Sequence, residues 1–154
     1  MKLVLFKPRN IGFLLRMIKE TLSNKLIKKP KLEDSVKEFV FKNAIKGNPD
    51  SVLSVMDQFA LKERFLMNVG DVKGKLLVDE INKLGTNLNI LELGCFCGYS
   101  AILMAKNLGN EGKVISIEVN KKYAKIAGEI IDFAGLKNKV VIIEGSSEKI
   151  IPTL

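Results

Sequence analysis

The residues best suited to chemistry are gathered in ten consecutive positions, Leu91-Glu92-Leu93-Gly94-Cys95-Phe96-Cys97-Gly98-Tyr99-Ser100. An apolar run ends here in a glycine turn before a helical pattern, and ligands of open α/β sheets bind at such strand-to-helix turns. A dinucleotide site wants Gly-x-Gly-x-x-Gly, whose middle glycine lets backbone approach a pyrophosphate. Phe96 stands in that middle position. Glu-x-Gly-x-x-x-Gly instead suits a nucleoside without a pyrophosphate, S-adenosylmethionine. Its methionine end presents an ammonium and a carboxylate, and the helix N-terminus after Gly98 supplies donors for the carboxylate. Glu118 ends the next apolar run twenty residues beyond Gly98, the offset at which an acid reaches both ribose hydroxyls in Rossmann-type sites. Gly145-Ser146-Ser147-Glu148 closes a third run, where the adenine would lie. Each feature also has a plainer use: the glycines serve any tight turn, a strand-end acid can simply be solvated, and Gly145 to Glu148 can cap a helix.

The elements that must position these residues follow from periodicity. Asp34 to Ile45 predicts a helix with Val36, Phe39, Val40 and Ala44 on one side. Asn48-Pro49 supplies a cap and a first-position proline for a helix through about Glu63, with Val52, Val55, Met56 and Phe59 as its buried stripe. Arg64 to Gly70 breaks the pattern, and Asp71 to Leu84 resumes it, with Leu76, Leu77 and Ile81 apolar and Gly85 as the stop. From Asn89 the period shortens. Ile90 to Leu93, Lys113 to Glu118 and Lys139 to Glu144 read as strands, separated by helices at Tyr99 to Asn107 and Lys121 to Phe133, the latter capped by Asn120 and ended near Gly135. Strands alternating with helices of this length indicate βαβ units and a parallel sheet.

Composition narrows the chemistry. A chain of 154 residues, 47% hydrophobic and 27% charged, is one ordinary folded domain. It has no His, which removes His-based acid–base catalysis, His-activated nucleophiles and imidazole zinc sites. Cys95 and Cys97 are too close in sequence for a useful disulfide loop and read as free thiols in a reducing compartment; no metal site is expected from them. The net charge of +8 is confined to residues 1–31, with nine basic residues against Glu20, while the remainder is neutral. That arm also carries Ile11, Leu14, Leu15, Ile18, Leu22 and Leu26 at helical spacing. It reads as an extra helix packed on its own domain, as an interfacial anchor in weak contact with anionic membrane, or as an organelle-targeting arm; nucleic acid is not an expected partner. No run is long and apolar enough for a transmembrane span or a signal peptide, so the expected location is cytoplasmic, with membrane association only through the arm.

From about Ser35 to Leu154 the sequence resembles the magnesium-dependent catechol O-methyltransferases. The segments carrying the resemblance are Asn48 to Leu53, Met67 to Gly74, Leu91 to Gly94 with Cys97 to Ala101, Asp132 to Leu136, and Ile151-Pro152. It implies an α/β fold, in which N-terminal helices precede the first half of a Rossmann-like methyltransferase sheet of three parallel strands. The organisation is then a basic arm at 1–31 and an incomplete methyltransferase domain at 32–154. By the same resemblance Val69 and Ser100 hold the methionine carboxylate, Glu92 and Gly94 line the amino end, and Tyr99 belongs to the same loop. Glu118 binds the ribose, Gly145, Ser146, Ser147 and Glu148 flank the adenine, and Met67 lies near the donor methyl. Phe65 stands where the family commonly has a Trp walling a catechol substrate. The family's magnesium ligands and its catalytic Lys lie beyond Leu154, so no catalytic or metal residue is expected here. A non-catalytic cofactor-binding fragment is the alternative expectation.

Overall fold

The computed structural model describes residues 30–154, so the expected arm and its apolar stripe lie outside the described residues. Three helices, α1 (Leu32–Asn43), α2 (Pro49–Lys62) and α3 (Gly70–Leu84), precede β1 (Asn89–Leu93), α4 (Tyr99–Lys106), β2 (Lys113–Glu118), α5 (Lys121–Phe133) and β3 (Val140–Glu144). A four-residue helix α6 (Ser147–Ile150) and a 3-10 turn at Ile151–Thr153 follow. Boundaries fall within two residues of those read from periodicity, the largest difference being at α1, which starts at Leu32 and stops at Asn43, two residues early at each end.

Local chemistry starts the helices where expected. Asn48 Oδ1 accepts the Ser51 N–H at 3.0 Å with Pro49 at the first helical position, and Asn120 Oδ1 accepts the Lys122 N–H at 3.0 Å. Each such cap satisfies a backbone donor that the helix leaves unpaired, worth about 1 kcal/mol. Val52, Val55, Met56 and Phe59 form the buried stripe of α2. Val36 and Val40 of α1 are fully buried, and Phe39 meets Phe59 edge to face with centroids 5.4 Å apart. Burial of each such side chain contributes roughly 1.5–3 kcal/mol.

The sheet is parallel in the order β1-β2-β3. Its central strand buries Val114 and Ser116 completely, whereas β1 lies at an edge and exposes Leu91 and Leu93. The β1–β2 register sets Glu92 opposite Ser116 and Leu93 opposite Ile117. Helix α1 is tied to α5 by Lys37–Glu129 at 2.8 Å, by Lys122 to Glu33 and Asp34, and by Phe41 stacked on Phe133. Helix α3 differs from the apolar face expected of it. Leu76 is exposed, and the buried positions are Gly74 and Ile81. The absent side chain of Gly74 is what admits Leu103 of α4, whose Cδ2 would lie 2.6 Å from a Cβ placed there. Spacing marks Leu76 as apolar, but it cannot show that α3 meets α4 through a glycine.

Candidate functional site

The turn from β1 into α4 is built by backbone conformation. Gly94, Phe96 and Gly98 all have positive φ, at 84°, 47° and 82°. At Gly98 a Cβ would also press on Ile131 at 3.2 Å, so glycine serves both the left-handed backbone and the close pass of α5. Phe96 adopts the same region with a side chain, and its ring meets Tyr123 edge to face at 4.8 Å. A non-glycine residue held there marks a backbone fixed by its surroundings.

Those surroundings centre on Glu118 at the end of β2. Its Oε2 accepts the N–H groups of Cys95 at 3.1 Å and Phe96 at 3.0 Å, and its Oε1 accepts the N–H of Asn120 at 2.9 Å. The residue is 6% exposed. A carboxylate offers about four acceptor positions, so this arrangement leaves about one. The expectation that Glu118 takes both ribose hydroxyls at once is therefore not matched by this geometry, because the loop itself consumes most of its capacity.

Glu92 is held similarly. Ser116 Oγ donates to its Oε2 at 2.5 Å, and Ser100 Oγ donates to its Oε1. Burial pushes its carboxyl above the usual range, the two serine hydroxyls oppose that rise, and the neighbouring Glu118 charge adds to it.

Beside this turn lies a cavity of about 140 Å³. One wall is Leu66, Met67, Asn68 and Val69; the other is Gly94 to Cys97 with Tyr99 and Ser100, and Met56 of α2 completes it. Whole small-molecule sites run to roughly 300–1,000 Å³, so this space suits one end of a ligand. Val69 is the residue at the N-cap of α3, and Tyr99 and Ser100 open α4. Two helix N-termini, each carrying about half a positive charge, therefore meet at one cavity. Tyr99 Oη donates to Asp57 Oδ2 of α2 at 3.0 Å. Burial raises the Asp57 carboxyl, and the Tyr99 bond counters it. Asn68 Nδ2 is buried with no hydrogen-bond partner among the described residues.

The structure thus brings Met67, Val69, Gly94, Tyr99 and Ser100 to one cavity, with Glu92 one hydrogen bond behind Ser100. Glu118 sits beneath the loop rather than on the cavity wall. Gly145 is joined to it through the Gly145 N–H on the Glu118 carbonyl at 2.9 Å, and Ser146 precedes α6 without a side-chain cap. Ser146 and Ser147 are partly buried and Glu148 is exposed, apart from the cavity. Phe65 precedes the lining segment but does not line it. The Cys95 and Cys97 thiols are both free and buried, and burial pushes each up to about 12. Sequence reading missed three residues. Ser116 is the one polar residue inside the run from Val114 to Ile117, a signal that could have been used. Asn68 lay inside a matched segment without a role, and Asp57 had no signal at all.

Residues 47–154 match the O-methyltransferase family. The chain is 39% identical over 122 residues to catechol O-methyltransferase of Mus musculus, covering 79% of this chain and 46% of that protein. It is 32% identical over 142 residues to transmembrane O-methyltransferase of Homo sapiens, covering 92% and 47%. Among solved structures, an O-methyltransferase from Bacillus cereus in complex with SAH superposes with a TM-score of 0.56 at 27% identity, covering 92% of this chain and 56% of that one. The chain spans about half the length of the curated relatives it matches. With the family matched over more than two thirds of its residues, this chain belongs to the O-methyltransferase family.

Proposed function

We propose that this chain binds S-adenosylmethionine and that the protein it belongs to moves the cofactor's methyl group to one hydroxyl of a catechol. The observation that carries the reading is the cavity where the N-termini of α3 and α4 converge with Glu92 behind Ser100. Positive helix ends favour a carboxylate and a buried acid favours an ammonium, so the pair recognises the zwitterion of the methionine end. Asn68, a buried donor lacking a partner, fits an anionic or carbonyl oxygen entering the same space.

Val69 and Ser100 take the carboxylate, Glu92 and the Gly94 backbone take the ammonium, and Tyr99 shapes the wall. Ser100 has a single proton, and it now points at Glu92. An arriving ammonium takes its place on Glu92, and the freed hydroxyl turns to the carboxylate. Glu118 offers its remaining acceptor position to a ribose hydroxyl. Gly145 to Glu148 then border the adenine and Met67 the donor methyl, with Phe65 toward a catechol. The bound cofactor would supply an activated methyl group; these residues orient it. Among the described residues there is no cluster of three or more His, Cys, Asp or Glu side chains that could hold a metal ion.

Among the described residues no helix is long and apolar enough to cross a membrane. The basic segment at 1–31 remains the proposed contact for anionic lipid, through about 1 kcal/mol per basic residue near such a surface. Calorimetric titration with S-adenosylhomocysteine tests the cofactor reading, with a micromolar to millimolar Kd expected, about −8 to −4 kcal/mol. Tighter binding of a nicotinamide dinucleotide would overturn it. Transfer of labelled methyl to catechol rather than to a monohydroxy phenol, in the protein containing this chain, tests the substrate.

A further inference from the structure

We propose that Asp57 of α2 is a positioning residue for the amino-acid end of the ligand, holding the start of α4 in place through Tyr99. The inference rests on the cofactor reading above. Asp57 does not line the cavity, but its neighbour Met56 does. Tyr99 Oη donates to Asp57 Oδ2 at 3.0 Å, a bond from the first residue of α4 to α2. Ser100 directly follows Tyr99. Fixing Tyr99 against α2, which also places Met56 on the cavity wall, therefore fixes the position of Ser100, assigned to the ligand carboxylate.

An acid is an expensive choice for a bracket. Burial works against the charge of Asp57, and Asp71 in the first turn of α3 adds a like charge. An apolar side chain on α2 would pack against Tyr99 without that cost, but it would give Tyr99 Oη no acceptor to fix its direction. The polar contact thus serves the placement of two segments far apart in sequence more than their burial.

The test is calorimetric titration of the full chain with S-adenosylhomocysteine, with circular dichroism establishing that each variant is folded. Asp57→Ala should weaken binding by roughly tenfold, the equivalent of about 1.4 kcal/mol. Asp57→Asn, which keeps an oxygen for Tyr99, should restore it to within about threefold of wild type. Adding Tyr99→Phe to Asp57→Ala should cost little more, since both act through one contact. A folded Asp57→Ala binding within about twofold of wild type, or no recovery in Asp57→Asn, overturns the proposal. Should Asp57→Ala fail to fold, Tyr99→Phe decides it, a several-fold loss supporting the bracket and unchanged affinity refuting it. Absence of binding by the wild-type chain overturns the cofactor reading and this inference with it.

Discussion

Glu118→Gln separates the two tasks that converge on one side chain. Three backbone N–H groups now point at its carboxylate, two of them at one oxygen. Glutamine has one oxygen and one NH2 group. Turned so that the oxygen faces Cys95 and Phe96, it sets its NH2 against the Asn120 N–H and leaves one donor unsatisfied; turned the other way it leaves two. The better orientation costs about 1–3 kcal/mol for the orphaned group. Relief of repulsion with Glu92 offsets part of this. At about 4 °C per kcal/mol for a domain of this size, Tm should fall by about 4–12 °C. Loss of a charge-assisted bond to the ribose should separately weaken S-adenosylhomocysteine binding by about ten- to a hundredfold, or about 1.5–3 kcal/mol. Thermal melts followed by circular dichroism, with and without ligand, measure both effects. A Tm unchanged by the substitution would refute the bracing role, and an unchanged Kd in the folded variant would remove Glu118 from the ribose site.

Because burial raises the Glu92 carboxyl above its usual value near 4.5, the folded state binds that proton more tightly than the unfolded chain. The residue's contribution to stability then declines as pH climbs from 4.5 through the raised value. Glu92→Gln should therefore melt no lower than wild type at pH 8, with any advantage vanishing toward pH 4, while losing ligand affinity; a lower Tm at pH 8 contradicts this. Cys95 and Cys97, buried and pushed up to about 12, should react with an aromatic disulfide at pH 8 only as the fold opens; immediate labelling of the native protein would contradict their burial. The 154-residue polypeptide alone should self-associate along β1, where Leu91 and Leu93 are 44% and 59% exposed, and Leu93→Lys should suppress this. A monodisperse wild-type monomer by light scattering would count against it.

The elements were legible because each is announced locally. Asn48-Pro49, Asn120 and the shift from helical spacing to continuous apolar runs at Ile90, Val114 and Val140 act within a few residues of the structure they specify. The parallel arrangement followed from helices long enough to cross over between strands. The packing of α3 was not legible, because Gly74 acts through its missing side chain, and only the position of Leu103 gives that absence a meaning.

The site divides along the same line. Glu92 and Glu118 stand out as acids within or ending apolar strands, Gly94, Gly98 and Ser100 as the turn and helix start that follow the first of them, and all five meet around one loop. What these acids do in the folded chain was hidden. A ligand-centred reading gives every acceptor to the ligand, yet buried backbone donors must be paired first. The N–H groups of Cys95 and Phe96, turned inward by the left-handed bend, claim Glu118 before any ribose can. Asp57 was hidden for a different reason. It meets Tyr99 across 42 positions of sequence, on a helix whose apolar stripe is complete without it, so nothing local distinguishes it from a solvated acid. Helix α2 and the loop are brought together only by tertiary packing, and the role proposed for Asp57 in holding one against the other becomes visible only when that packing is known.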